Sequence, residues 1–395
     1  MKQPAPSTRE TGSFALLCGV RALFPILDIA DATDAVLPAL SQRAEARVTS
    51  GMLAHMIPTT SGVVPSYFYS ACTRLRVGVF SLLIAIAGNG NADTREIVIY
   101  PGFAGSSIVI EGRVVEARGG APEADGDSWF TNVKRTLRRL ISDEQAEVAV
   151  RVEFDGRVWR AVTDAEGYFR VEGDSAAGAP VGWRDVKAAT ERGDARATGA
   201  ILRVPPENRL GIISDVDDTI LISEVTDKSR LLRNVLLVNY AQRKAVPGTA
   251  DFYARLTRRN PKPEAAPVFY LSASPRQLHA GIQTFLDRNG FPRGVLITKK
   301  VTNDDTSDPL IDQVKYKTRR IEQVLAALPQ VRFVLVGDDG ERDPEIYHDI
   351  RQRYPDRIDS IWIRKAARVA PHPTYPGQRD LAQALGANRA PARAP

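Results

Sequence analysis

Downstream of Arg209 the chain alternates two kinds of hydrophobic pattern. Short runs that are apolar almost throughout occupy 210–214, 268–272, 295–298, 333–337 and 358–363. Between them, 249–256, 277–288, 316–328 and 344–353 carry apolar residues at helical spacing, as Ile321, Val324 and Leu325 do. Uninterrupted apolar runs fit strands covered on both faces, and helices between them fit crossover connections. The pattern therefore predicts an α/β domain with a Rossmann-like parallel sheet over 206–368.

The segment 93–205 reads differently. Short β-rich stretches, among them Ile108-Val109-Ile110, Gly112-Arg113-Val114-Val115, 147–154 and 158–162, are separated by turns such as Thr163-Asp164-Ala165-Glu166-Gly167. Tyr168-Phe169 opens a new strand. Such spacing predicts a small β-sandwich-like domain. One helix interrupts it near 128–141, where Trp129, Phe130, Val133, Leu137, Leu140 and Ile141 share a face, and Asp127 or Ser128 supplies a cap. Lys134, Arg135, Arg138 and Arg139 make this helix basic. It fits either a membrane interface or docking on the β-domain with a solvated basic face.

Residues 1–92 carry no clear pattern, since Pro25, Pro38 and Pro58 break the apolar clusters. The uncharged run 77–87 is too short to span a bilayer. Arg74 and Arg76 before it and Gly90-Asn91-Ala92 after it suit a secretory signal cleaved after Ala92. Export would then require translation from Met52 or Met56. The rivals are a buried helix or strand, and a cytoplasmic, peripherally membrane-associated protein. The stretch 369–395, rich in Pro, Ala and Arg, reads as a disordered tail.

Composition narrows the picture only modestly. The 395 residues are 43% hydrophobic and 25% charged, enough for two cores. A net charge of +6 suits an anionic ligand or surface without requiring one. Nucleic-acid binding is disfavoured, because no long basic block or base-stacking module occurs. Cys18 and Cys72 lack metal-ligand spacing, and His55, His279, His348 and His372 are scattered as surface or packing residues.

The chemistry concentrates where apolar runs stop. Gly211-Ile212-Ile213-Ser214-Asp215-Val216-Asp217-Asp218-Thr219 is a strand that ends in paired carboxylates. In an open α/β sheet, ligands bind beyond the carboxyl ends of the strands. One carboxylate there can attack an electrophile and another can move protons, although Asp-rich turns also end many strands for purely structural reasons. Val268-Phe269-Tyr270-Leu271-Ser272-Ala273-Ser274-Pro275 ends in hydroxyls, Lys317 opens a helical pattern, and Phe333-Val334-Leu335-Val336-Gly337-Asp338-Asp339 ends in acids, with Asp343 following.

Acid pair, hydroxyl, lysine, acid pair, in that order, resembles the four motifs of haloacid-dehalogenase-like phosphatases. Asp215-Val216-Asp217-Asp218-Thr219, Ser272-Ala273-Ser274-Pro275 and Gly337-Asp338-Asp339-Gly340-Glu341 with Asp343-Pro344-Glu345-Ile346-Tyr347 resemble more closely the actin-patch-protein family of phosphatidate phosphatases. Asp127-Ser128-Trp129-Phe130 and Ile361-Trp362-Ile363-Arg364 fit it too, so the likeness extends over 97–365. The family usually has Ser where Asp339 stands and an aromatic residue near Arg276.

The resemblance implies a haloacid-dehalogenase-like fold and a Mg²⁺-dependent phosphatidate phosphatase that yields diacylglycerol and phosphate. It assigns Asp215 as nucleophile and Asp217 as acid and base, with Thr219 orienting Asp217 or its loop. Mg²⁺ would be held by Asp215, the backbone carbonyl of Asp217, and Asp338. Asp343 would hold metal-bound waters, and Asp339 would substitute or assist. Ser272 and Lys317 would hold the transferred phosphoryl group. Short inserts between Thr219 and Ser272, and between Ser272 and Lys317, leave no large cap, which suits a bulky lipid phosphate and peripheral membrane contact. Ser274 reads as a turn residue, Asp218 as a loop stabiliser, and Asp304, Asp305 and Asp308 as a solvated acidic loop. Arg276 reads as an exposed helix-start residue or a headgroup ligand. The alternatives are a phosphatase for soluble or protein phosphoesters, and a non-catalytic membrane or protein interaction module; the latter leaves Asp215, Asp217, Lys317 and Asp338 unexplained.

Overall fold

A computed structural model describes residues 95–105, 107–117, 145–175, 178–222, 240, 243–301, 307–309, 312–366 and 371–386. The apolar run 77–87, the basic segment 128–141 expected to be helical, both cysteines, Asp304 and Asp305 lie outside the described residues.

The first eight strands are β1 (Arg95–Ile99), β2 (Gly102–Ala104), β3 (Ser107–Glu116), β4 (Ala149–Phe154), β5 (Arg157–Val162), β6 (Tyr168–Asp174), β7 (Gly182–Thr190) and β8 (Arg196–Arg203). They form one hydrogen-bonded path, β1-β3-β2-β8-β7-β4-β5, with β6 on β3. All pairs are antiparallel except β2 with β8. Val150, Val152 and Phe154 of β4 point inward while Arg151 and Glu153 face out, the alternation of a half-buried strand. Ile97, Ile110, Val114, Phe169, Val186 and Ile201 complete the core. The sheet curls on itself: Ile99 of β1 lies so close to Gly199 of β8 that a Cβ there would come within 2.5 Å. The β-rich content expected here is present, as a single connected sheet of eight strands.

The second sheet is built from β9 (Leu210–Asp215), β10 (Val268–Pro275), β11 (Val295–Lys299), β12 (Arg332–Asp338), β13 (Ile358–Arg364) and β14 (Gln378–Asp380). Its order is β11-β10-β9-β12-β13-β14, and every pairing is parallel. The helices are α1 (Thr249–Thr257), α2 (His279–Arg288), α3 (Gln313–Ala327), α4 (Asp343–Arg353) and α5 (Leu381–Gly386). On one face Ile213, Leu335 and Phe333 pack with Ile321, Val324 and Leu325 of α3 and Ile346 and Ile350 of α4. On the other, Ile212, Val334 and Val336 pack with Phe252, Ile282, Phe285 and Leu381. Neighbouring residues of one strand thus enter opposite cores, which is why the strands read as unbroken apolar runs. None of the described helices is long and apolar enough to cross a membrane.

The expected tail is partly structured. β14 pairs with β13 through Ile361–Gln378, Trp362–Arg379 and Ile363–Asp380, and Leu381 of α5 is completely buried. Arg255 also donates to the Ala384 carbonyl at 3.0 Å. The Pro, Ala and Arg content concealed one short strand that satisfies an exposed sheet edge and one apolar helix face.

The two sheets share a core. Leu202 and Val204 at the end of β8 join the α3–α4 side of the parallel sheet, and Phe103 meets Phe269 edge-on at 4.9 Å. Arg276, expected to be exposed, is buried instead. Its guanidinium pairs with Glu111 of β3 and lies over the rings of Tyr100 and Tyr168, 4.9 and 5.7 Å away. The Asp308 carboxylate is likewise buried rather than solvated. It takes two hydrogen bonds from Arg320 Nη2 at 2.8 and 2.9 Å and one from the Lys300 amide at 2.8 Å. In both cases the counter-charge comes from another element, Glu111 of β3 for Arg276 and Arg320 of α3 for Asp308.

Candidate active site

β9 lies between β10 and β12, so their three carboxyl ends open on one crevice. Asp215 ends β9, the hydroxyls of Ser272 and Ser274 lie in the last residues of β10, and Asp338 ends β12. Beyond Asp215 the chain turns at Asp218, whose φ of 55° lies in the left-handed region that Asp tolerates better than most residues. Arg364 donates to the Asp218 carbonyl and fixes this turn. Thr219, fully buried, donates its hydroxyl to Asp338 Oδ2 at 3.2 Å, so the loop after β9 is tied to β12.

Asp343 begins α4 and comes close to Asp338 because Gly337 has no side chain. A Cβ on Gly337 would meet Asp343 Oδ2 at 2.5 Å and the Tyr347 ring at 2.7 Å. Asp343 Oδ2 accepts from the Asp338 amide at 3.4 Å, and Asp338 Oδ1 accepts from the amides of Gly340 and Glu341 at 2.7 and 3.2 Å. Oxygens of Asp215, Asp338 and Asp343 lie within 4.8 Å of one another, all buried.

Lys317 reaches this cluster from the second turn of α3. Its buried ammonium sits 2.8 Å from Asp215 Oδ1, 2.6 Å from Asp343 Oδ1 and 2.9 Å from Glu341 Oε2. An ammonium has three protons, so all of them have carboxylate partners here. Asp215 Oδ2 is enclosed and has no hydrogen-bond partner among the described residues. Asp217 stands slightly apart: its Oδ2 accepts from Ser272 Oγ at 2.9 Å and, more weakly, from Ser274 Oγ at 3.4 Å. The Ser274 amide in turn donates to Ser272 Oγ at 3.0 Å, which orients that hydroxyl.

The electrostatics follow from acids outnumbering bases. Burial pushes Asp215 well above the usual carboxylate range; the charges of Asp343, Glu341 and Asp338 add to this, and Lys317 opposes it. Burial, then Asp343 and Glu341, moves Asp338 up to about 8. Asp343 is raised by burial against the pull of Lys317. Burial and then Glu341 raise Asp217, with Arg243 and the Ser272 hydrogen bond pulling the other way. Burial alone would lower Lys317, but its three carboxylates hold it well above the ordinary lysine range. Such a cluster favours a further positive charge. The donors are hard oxygens, one of them unpartnered, which suits a divalent cation of the Mg²⁺ type.

The structure thus gathers Asp215, Asp217, Thr219, Ser272, Lys317, Asp338 and Asp343 at one crevice. It does not bring Asp339 to the same oxygens: Asp339 Oδ1 accepts from the Ala366 amide at 2.7 Å, and the Asp339 amide and carbonyl bond Arg364 and His372. Ser272 and Lys317 stand where expected, but they bond the site's own carboxylates. Two participants escaped the sequence reading. Glu341, three residues past Asp338, could have been noticed as an acid within the same turn. Arg243 carries no motif signal at all.

Residues 210–365 match the family described as "Phosphatidate phosphatase APP1, catalytic domain". Phosphatidate phosphatase APP1 of Saccharomyces cerevisiae is 32% identical over 158 residues, which are 39% of this chain and 26% of that protein. An uncharacterized protein of Schizosaccharomyces pombe is 27% identical over 157 residues, 40% of this chain and 25% of that protein. The chain thus spans about a quarter of the length of these two relatives. Among solved structures, a carbohydrate acetylesterase from Xanthomonas citri aligns over 69% of this chain and 68% of its own, at 10% identity and a TM-score of 0.26, too low to bear on the fold.

Proposed function

We propose that this chain, whose residues 210–365 fall in the phosphatidate phosphatase APP1 catalytic-domain family, is a metal-dependent phosphatase of lipid phosphomonoesters with a haloacid-dehalogenase-like catalytic domain. One observation carries the chemistry. Three buried carboxylates and a lysine meet at the carboxyl end of a parallel sheet, with Asp217 held beside them by two serine hydroxyls. Phosphatidate as the substrate is supported by the name of the yeast relative.

In this reading Asp215 is the nucleophile. Its carboxylate attacks phosphorus, an aspartyl-phosphate forms, and the P–O bond to the glycerol oxygen breaks. Asp217 gives its proton to that departing oxygen. Its raised pKa suits a group that must be protonated at the first step. Asp217 then takes a proton from the water that attacks the aspartyl-phosphate. That attack releases inorganic phosphate and restores Asp215. Ser272 and Ser274 hold the Asp217 carboxylate toward the crevice. Lys317 opposes the rise that burial imposes on the Asp215 and Asp343 carboxyls and locks their orientation.

Asp215 Oδ2, Asp338 and Asp343 would hold Mg²⁺, with the Asp217 carbonyl a further ligand by family resemblance; their mutual approach and the unpartnered Asp215 oxygen support this reading. When bound, the cation would lower the charge repulsion between phosphate and carboxylates.

The test is phosphate release from phosphatidate vesicles and from a soluble phosphoester, with Mg²⁺ and with EDTA. Wild type should prefer phosphatidate and should lose turnover on chelation. Asp215→Asn should fall by on the order of 10²-fold or more, as loss of an essential chemical group does. Near-wild-type turnover in folded Asp215→Asn would refute the covalent route. Preference for the soluble ester would favour the alternative substrate class.

A further inference from the structure

A phosphomonoester brings up to two negative charges into a crevice already lined by Asp215, Asp217, Asp338, Asp343 and Glu341. The cation and hydroxyl expected to receive it are engaged. Lys317 has three carboxylates within 2.9 Å, and Ser272 donates to Asp217. The phosphoryl oxygens therefore call for another donor, on the Asp217 side of the acid cluster.

Arg243 meets that need. The chain returns to the site loop just beyond it. Ile222 donates to the Lys244 carbonyl at 2.9 Å, Val246 donates to the Ile220 carbonyl at 2.9 Å, and Leu221 bridges both Ala245 and Asp217. Arg243 is thereby fixed next to the loop that carries Asp217, and its charge is one of those that Asp217 feels. Its guanidinium lies over the Tyr240 ring at 4.1 Å. That ring is itself wedged against Gly281, where a Cβ would come within 2.4 Å. Nε and Nη2 are enclosed and have no hydrogen-bond partner among the described residues. Leaving buried donors unpaired is costly. These two N–H groups also form one edge of the guanidinium, the fork that grips two oxygens of a carboxylate or phosphate at once.

We propose that Arg243 binds the phosphoryl group of the substrate, with Nε and Nη2 on two non-bridging oxygens. The ligand class is a phosphomonoester dianion or its product, orthophosphate. The proposal rests on the phosphatase reading, yet binding tests it separately from turnover. Stacking on Tyr240 fixes the plane of the fork, so the guanidinium is set before substrate arrives. The phosphate then enters between a cation on the Asp217 side and the nucleophile on the other.

The experiment uses the full chain with Mg²⁺, as wild type, Arg243→Gln and Arg243→Lys, each checked for an unchanged thermal melt. Orthophosphate affinity is measured by calorimetry. KM is measured for phosphatidate in mixed micelles and for a soluble phosphoester. Arg243→Gln should weaken orthophosphate binding by about tenfold or more, the loss expected for one charge-assisted pair, and should raise both KM values by a similar factor. Arg243→Lys should recover part of the affinity, since it restores the charge but not the fork. Wild-type orthophosphate affinity in folded Arg243→Gln overturns the proposal. So does a rise in KM for phosphatidate alone, which would place Arg243 against the lipid and not the phosphate. A wild type that fails to bind orthophosphate overturns it as well. If wild type binds orthophosphate but hydrolyses neither ester, the phosphatase reading fails, while the binding comparison still judges Arg243. If Arg243→Gln does not fold, Arg243→Lys decides: unchanged affinity there refutes the two-point contact.

Discussion

Replacing Lys317 by methionine keeps most of the side-chain volume and deletes one buried charge. In the folded protein that ammonium lies 2.6 to 2.9 Å from Asp215, Asp343 and Glu341. At an effective dielectric of about 20, each such contact is worth about 6 kcal/mol of gross attraction. Most of that is offset by the cost of taking the ions out of water, so the net loss is far smaller than the sum. Removing one partner of a buried ion pair typically costs about 3–5 kcal/mol, because the remaining charge is stranded. Here Asp215 and Asp343 are both stranded, and both are essentially inaccessible to solvent. For a domain of this size the loss corresponds to a fall in Tm of roughly 10 °C. The pH dependence separates this cause from simple repacking. The Lys317 pKa is raised, so its contribution is complete below its unfolded value of 10.5 and does not change between pH 5 and 7.5. The stranded carboxyls behave differently. They take up protons as pH falls, so the gap between variant and wild type should narrow at pH 5. Thermal melts followed by circular dichroism in EDTA at both pH values test this. A variant within about 2 °C of wild type at pH 7.5, or a gap that widens at pH 5, would refute the account of Lys317 as the counter-charge of the cluster.

Two further outcomes follow from the same electrostatics. Asp338 has a folded pKa of about 8 against 3.8 as its ordinary value, so its ionisation costs stability in the metal-free fold. The Tm in EDTA should therefore fall as pH rises from 5 to 8, and Mg²⁺ should raise Tm more at pH 8 than at pH 5; a flat profile with equal Mg²⁺ effects would be the contrary result. Glu111 is pulled below its ordinary 4.5 by Arg276, against the opposing effect of burial, so its contribution is present above that value and is lost on acidification. Glu111→Gln should cost about 1–3 kcal/mol near neutral pH, with the two melting curves converging as pH falls below 4.5. It should also lower kcat, since Arg276 directly follows Pro275, the last residue of β10, whose Ser272 and Ser274 hold Asp217; unchanged stability and kcat would show that the β-rich sheet does not support that strand end.

The parallel domain was legible because its physics is local. A strand covered on both faces must be apolar at consecutive positions, and Ile212 and Ile213 enter opposite cores. The ends of such strands are the places where polar groups can converge, so Asp215, Ser272 and Asp338 could be marked without knowing the packing. Charged partners were not legible in the same way. Arg276 and Glu111 are 165 positions apart, and nothing near either one announces the other. Asp308 looked solvated because the sequence around it is acidic, yet Arg320 folds onto it. The last strand and helix were hidden because a short segment rich in Pro, Ala and Arg earns its order only from the β13 edge it completes and the pocket that takes Leu381.

What the sequence determined alone is therefore the order of the parallel-sheet elements from β9 to β13, the carboxyl-end crevice and the inventory of acids, hydroxyls and lysine that reach it. Each depends on periodicity or on a residue's place at the end of its own strand. Tertiary structure decided how those groups pair. It gave the Lys317 protons to three carboxylates, the Ser272 hydroxyl to Asp217, and Thr219 to Asp338, and it left the fork of Arg243 without a partner among the described residues. Pairing depends on distances of a few ångströms between elements far apart in the chain, and in a buried, low-dielectric crevice those distances set both charge state and role.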